Sequence, residues 1–219
     1  MNRLASINKQ FSSEKSLISK ETITIDGQSY PEIIDYHPDR EIKINFFKLR
    51  GWGYRDSGFE VNKETKMIKI KGNRYMHGGQ SLPKFGEFVK NHLAISLEHE
   101  DPEQEDMEVA APNINHAFLE ELGLTQFSRR SFMKWERIMH SHGACLQEVW
   151  QLRYTKIDKV ADCVLYPNSN EDCEALVKLA VKHNVVLVPY GGGTNVTKSL
   201  QLSTTENRMI VSVDMSRMN

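Results

Sequence analysis

The chain has 219 residues, with 28 Lys and Arg against 29 Asp and Glu and a formal net charge of −1. Electrostatic binding of a polyanion needs a clustered basic excess, so this balance excludes a nucleic-acid platform. Apolar residues make up 39% of the chain, enough for a globular core of one or two domains, and no stretch reaches the roughly 18 apolar residues that span a bilayer.

Residues 1–42 read as a targeting leader and tether. Arg3-Leu4, five residues and then Gln10-Phe11 fit a type-2 peroxisomal address, with Ile7 at its inner apolar position. A chance match in a leader rich in Ser and Lys, or a mitochondrial presequence, are the alternatives. Residues 12–40 are polar, contain Pro31 and Pro38, and show little periodicity, which predicts a tether.

Residues 43–156 read as an accessory region of helices and a hairpin. Phe59, Val61, Ile68 and Ile70 flank a Lys-Glu-Thr-Lys turn and predict a β-hairpin. Leu82, Phe85, Phe88, Val89 and Leu93 recur at helical spacing beside Pro83, predicting a helix over 82–93 with a proline start. Glu98 to Glu108 holds seven carboxylates and predicts an exposed loop. Arg129, Arg130, Lys134 and Arg137, interleaved with Phe132, Trp135, Ile138 and Met139, predict an amphipathic helix from Ser128 onward. Its basic side is a solvated face or, in a sharper reading, a peripheral contact with a membrane surface. His140, His142 and Cys145 have no fourth ligand nearby, so they predict structural support and no metal. Cys145, Cys163 and Cys173 form no even framework and read as reduced thiols, the last two packed in a core.

Residues 157–219 read as a β-α-β unit. Val160 to Tyr166 is a strand stopped by Pro167. Ser169 then caps a helix, with Asp172 completing an approximate capping box. Cys173, Leu176, Val177 and Ala180 form its apolar face, Lys182 and His183 suit the negative end of its dipole, and Asn184 takes the left-handed position beyond it. A strand follows at Val185-Val186-Leu187-Val188, and another at Met209 to Asp214. Between them lies Pro189-Tyr190-Gly191-Gly192-Gly193-Thr194-Asn195. Three successive glycines let backbone N–H groups converge on an anion, which makes the run a candidate pyrophosphate cradle. A bare Gly-Gly-Gly is equally a flexible strand exit. Pro189 fixes the entry, while Thr194 and Asn195 can donate to phosphate oxygens or cap the loop. Both the G-x-G-x-x-G fingerprint and a P-loop lysine are missing, which disfavours an NAD site or an NTPase.

A strand ending in Tyr-Pro, a capped helix, a valine-rich strand and P-x-G-G-G-T-x-V together resemble the FAD-binding domain of the vanillyl-alcohol oxidase, or PCMH, type. Within that family, five further runs resemble the members that make ether lipids: Phe47 to Ser57, Gly72 to Tyr75, Leu82 to Phe85, His140 to Glu148 and Met209 to Asp214. The resemblance covers about residues 43–219. It implies an α+β chain, with a helical and hairpin accessory region at 43–156 followed by the first βαβ part of a PCMH-type FAD-binding domain at 157–219. The cofactor it implies is FAD, and the reaction is a transfer without net redox change: the acyl chain of acyl-dihydroxyacetone phosphate is exchanged for a long-chain fatty alcohol. A peroxisomal homodimer is implied as well. Cofactor-binding residues fall on Pro189, Tyr190, Gly191, Gly192, Gly193, Thr194 and Asn195, and no catalytic residue of the family falls on this chain. Tyr190 stands where a smaller aliphatic residue is expected, so only its backbone N–H is counted. Because such a flavin domain needs two subdomains and a cap, the chain reads as truncated, with its last strand robbed of partners and with neither a closed FAD site nor turnover of its own. The alternatives are a non-catalytic interaction module with a partial flavin-like domain, and a hydroxy-acid oxidase or dehydrogenase of the same superfamily.

Overall fold

The computed structural model describes residues 17–36, 48–50, 53–98, 107–123 and 129–218. The region read as a tether contains a hairpin of two strands, β1 (Leu17–Ile25) and β2 (Gln28–Tyr36). Its cause is the Asp26-Gly27 pair: both residues have positive φ, 52° and 79°, and Ile25 pairs with Gln28 across them. Asp-Gly accepts that left-handed two-residue turn at little cost, and this local signal outweighs the polar composition that suggested a tether. The targeting motif at residues 3–11 lies outside the described residues.

The predicted second hairpin forms as β3 (Gly58–Val61) and β4 (Ile68–Lys71), antiparallel with Val61 opposite Ile68, and β5 (Ser81–Leu82) adds a third strand. The helix beside it, α1, covers Phe85–Leu93. Its N-cap is Lys84, so Pro83 precedes the cap and does not occupy the first helical position. Val89 is buried but Phe88 and Leu93 are about half exposed, so the predicted apolar face is only partly covered. Most of the acidic run, residues 99–106, lies outside the described residues; Met107 at its end is buried.

The rest of the chain is built around a four-stranded sheet of order β6-β7-β9-β8, formed by β6 (Arg129–Ser131), β7 (Cys163–Tyr166), β8 (Val186–Tyr190) and β9 (Ile210–Asp214). β7, β9 and β8 run parallel, and β6 is antiparallel to β7. The expectation of an orphaned last strand is wrong. β9 lies in the interior of the sheet, paired on both sides, and all five of its residues are buried. Helices α2 (His116–Leu122) and α5 (Asn170–His183) pack together on one face, where Phe118, Leu122, Leu176, Leu179, Cys163, Leu165 and Val211 share a core. The opposite face is closed by the segment after β8, through Leu200 and Leu202 against Ala161, Val188 and Ile210.

Helix α5 begins at Ser169, whose Oγ accepts from Asp172 N at 3.1 Å, and ends at Asn184 with φ 54°, both as expected. Two details differ. Asp172 accepts from Asn168 N at 2.9 Å, one residue beyond the Ser169 N–H that a true capping box would use. Leu179 takes the buried position predicted for Val177, which is 53% exposed, because at 3.6 residues per turn Val177 lies about 100° round from Leu176.

The amphipathic helix predicted from Ser128 is not there. Arg129–Ser131 is strand β6, and helix α3 covers only Lys134–Met139. Arg129, Arg130 and Arg137 are all buried, so of the four cations of the membrane-contact reading Lys134 alone is exposed. Arg137 donates to Ala161 O at 2.7 Å and to Ala110 O at 3.1 Å; these guanidinium bonds, invisible to periodicity, draw it inward. Among the described residues no helix is long and apolar enough to cross a membrane.

Candidate functional site

Strands β7, β8 and β9 end side by side at Tyr166, Tyr190 and Asp214, with Tyr190 in register with Asp214. The carboxyl ends of parallel strands are where open α/β sheets bind ligands. The glycine run leaves the sheet at this edge. Pro189 and Tyr190 still belong to β8, opposite Val213 and Asp214, so the free loop begins at Gly191.

The three glycines are not equivalent. Gly193 has φ 66°, and a Cβ there would come within 2.3 Å of Tyr190 Oη, so both backbone and packing demand glycine. Gly191 and Gly192 have no such need: a Cβ on either would enter open space with nothing within 4 Å. Thr194 is exposed, and its carbonyl accepts from Ala144 N at 3.3 Å. Asn195 is buried with φ 54°. Its Oδ1 accepts from Leu200 N at 2.8 Å, its Nδ2 donates to Glu148 Oε1, and its carbonyl accepts from Lys198 N at 3.0 Å. Of the two roles the residue type allowed, the side chain takes that of a loop cap.

Glu148 belongs to helix α4 (Leu146–Tyr154), where it also accepts from Cys145 N at 3.4 Å in a capping box. Burial opposes its charge, yet the bonds from Cys145, Gly143 and Asn195 hold its carboxyl below the ordinary value. Gly143 explains the fit between this segment and the loop, because a Cβ there would lie 2.0 Å from Asn195 Cβ. The run His140 to Glu148 is thus the buttress of the glycine loop.

Beneath the strand ends lies a buried polar network. Glu136 on α3 is fully buried; it accepts from Arg129 at 2.9 Å and from the Tyr166 hydroxyl. The Arg129 guanidinium lies 4.9 Å from the Tyr166 ring centroid. Burial, then the Glu136 charge, push the Tyr166 phenol well above its ordinary pKa. His140 faces acceptors on both sides, Glu136 O at 2.7 Å from Nδ1 and Asp214 Oδ2 at 2.9 Å from Nε2. Burial would raise the Asp214 carboxyl, but His140 and the Ser216 N–H at 2.8 Å outweigh it and lower its pKa. The Tyr190 ring packs on His140 with centroids 4.4 Å apart.

Sequence reasoning missed Glu136, Asp162 and Asp214 as organising groups. Asp162 had a readable signal, an acid inside the apolar run Val160 to Leu165. Its two oxygens accept from Asn113 N at 2.8 Å and Ile210 N at 2.7 Å, tying β7 to the start of β9, while burial raises its pKa. Cys163 is buried, and Cys145 and Cys173 are partly so; all three are free thiols, and among the described residues no group of His, Cys, Asp and Glu could hold a metal. A cavity of about 460 Å³ opens on the far side of Asn195, lined by His142, Cys145, Gln151, Lys159, Lys198 and Thr204 among others, and Gly191 to Gly193 are not part of it.

Residues 161–219 match the model of a family described as FAD binding domain, which supports FAD as the cofactor. The nearer kinship is more particular. The chain is 32% identical over 189 residues to an alkyldihydroxyacetonephosphate synthase of Caenorhabditis elegans, covering 84% of this chain and 31% of the relative. Proteins of the same name from Trypanosoma brucei brucei and Dictyostelium discoideum are 36% and 30% identical, each over 78% of this chain and over 28% and 29% of their own lengths. Two solved structures of alkyldihydroxyacetonephosphate synthase, in crystal forms P1 and P212121, superpose with a TM-score of 0.69 at 30% and 28% identity. They share 80% and 81% of this chain and 34% and 33% of theirs. By sequence and by fold the chain is similar to the alkyldihydroxyacetonephosphate synthases, and it spans about a third of their length.

Proposed function

We propose that this chain supplies the first part of the FAD site of an alkyldihydroxyacetonephosphate synthase, a transferase that replaces the acyl chain of acyl-dihydroxyacetone phosphate by a long-chain fatty alcohol in ether-lipid synthesis. The observation that carries the reading is the pair Gly191 and Gly192, glycines that neither backbone nor packing requires, at the carboxyl edge of a parallel sheet. An open space where a Cβ would sit is what close approach of a pyrophosphate to backbone N–H groups needs. Pro189 and Tyr190 aim the loop, Gly191 to Gly193 with Thr194 form the cradle, and Asn195 locks it from beneath. When bound, FAD supplies the chemistry of the exchange; the chain binds and orients it. The reading includes the unit boundaries at 42 and 156, a homodimer and a peroxisomal address at Arg3-Leu4 and Gln10-Phe11.

The test is a chimera in which this chain replaces the matching third of the Trypanosoma relative. A yellow chimera that incorporates labelled hexadecanol into alkyl-dihydroxyacetone phosphate, releasing one fatty acid per turnover, is expected. A yellow chimera that is instead bleached by 2-hydroxy acids and performs no exchange would place the chain among hydroxy-acid dehydrogenases, and a folded, colourless one would leave only an interaction module.

A further inference from the structure

Tyr190 is where this chain departs from the aliphatic residue expected before the glycines, and its placement is specific. The ring is gripped from one side by His140, 4.4 Å between centroids, and from the other by Gly193, whose Cα a side chain could not occupy without striking the Tyr190 hydroxyl. His140 is itself held at both nitrogens, by Glu136 O and Asp214. The phenol therefore has a fixed position at the root of the loop. The residue is only half-buried, and its hydroxyl makes no hydrogen bond to any described residue. A held aromatic ring with an unspent donor, beside two glycines that leave open space, is a preorganised anion contact.

We propose that the Tyr190 hydroxyl donates a hydrogen bond to the pyrophosphate of the bound dinucleotide, adding a side-chain contact to a cradle otherwise made of backbone N–H groups. The inference rests on the cradle reading of Gly191 to Gly193 and deepens it. Burial, with the Asp214 charge second, raises the phenol above its ordinary pKa, so it keeps its proton and acts as a donor throughout the neutral range. Gly193 is then glycine in part because Tyr190 is tyrosine, and the two residues form one device.

Calorimetric titration of the full 219-residue chain with ADP and, separately, FAD tests this, using wild type, Tyr190→Phe and Gly192→Val. Phe keeps the ring between His140 and Gly193 and removes only the hydroxyl. A hydrogen bond to a charged acceptor predicts about tenfold weaker binding of both ligands by Tyr190→Phe, with an unchanged melting temperature. Equal binding by wild type and Tyr190→Phe, with binding lost in Gly192→Val, overturns the hydroxyl contact and leaves the cradle standing. Weakening of FAD alone, with ADP unaffected, overturns it too, because the contact would then lie outside the shared pyrophosphate. Wild-type affinity in Gly192→Val, or no binding by wild type, removes the cradle and this inference together.

Discussion

The four-stranded sheet and the small β3-β4-β5 meander are organised by opposite means. The sheet hides charge: Arg129, Arg130, Glu136, Arg137, Asp162 and Asp214 are buried beside or within apolar strands, and the groups among them whose bonds are described above meet specific partners. The meander does the reverse, leaving Phe59 at 65% exposure in a ladder of aromatic contacts with Phe85, which in turn stacks against Phe88. Buried charges in the sheet cannot move without leaving a partner unpaired in low dielectric, so they hold the strand ends and the loop in one geometry. Exposed rings in the meander can shift at little cost. The candidate site sits on the rigid region.

The largest expected effect is Glu136→Ala, which strands the buried Arg129 guanidinium and the Tyr166 hydroxyl. We expect a loss of about 3–5 kcal/mol in denaturant unfolding; a loss below about 1 kcal/mol would mean that the network holds nothing in place. Next is Gly143→Ala. A methyl 2.0 Å from Asn195 Cβ must push the loop away, costing about 1–3 kcal/mol of stability, and the same variant should lose dinucleotide binding. Native-like affinity in a destabilised Gly143→Ala would separate the buttress from the cradle.

The pH dependence sharpens the same contrast. Burial lowers the pKa of His142, so the neutral ring is favoured in the fold; that contribution is complete above about pH 6.5 and fades as the pH falls toward the lowered folded value. Asp214, also lowered, keeps its contribution above the ordinary carboxylate range and surrenders it only in stronger acid. Stability should hold steady from pH 8 to 7 and then decline in two stages. Chemical denaturation of His142→Asn across this range should remove the first stage alone; an unaltered profile would contradict the assignment. The smallest effect belongs to the meander, where Phe59→Ala should change stability by about 0.5 kcal/mol or less. A cost comparable to that of Glu136→Ala would erase the distinction between the two regions.

Where propensity and local chemistry agree, the fold was legible. Ser169 and Asn184 placed α5 to the residue, the flanking apolar runs placed β7 and β8 each with one end two or three residues off, and the Lys-Glu-Thr-Lys turn placed β3 and β4. What escaped is set by tertiary partners. Arg129 looks like the polar side of a helix until Glu136 is brought beside it, and β9 looks orphaned until β7 and β8 flank it. The hairpin over 17–36 escaped for a different reason, since Asp26-Gly27 announces it and the surrounding polarity masked the signal. For the candidate site, the glycine run was readable, but its inequality was not: only the surroundings show that Gly193 serves the backbone while Gly191 and Gly192 serve the open space.

That inequality is also the most direct point of attack. Phosphorus NMR of ADP and FAD, titrated with the wild-type chain and with Gly192→Val, reads the pyrophosphate itself. Because a Cβ at Gly192 meets nothing within 4 Å, the variant should fold and melt as wild type does. The account predicts that the wild-type chain shifts and broadens both phosphate resonances and that Gly192→Val leaves them at their free positions; identical spectra with the two proteins would contradict it.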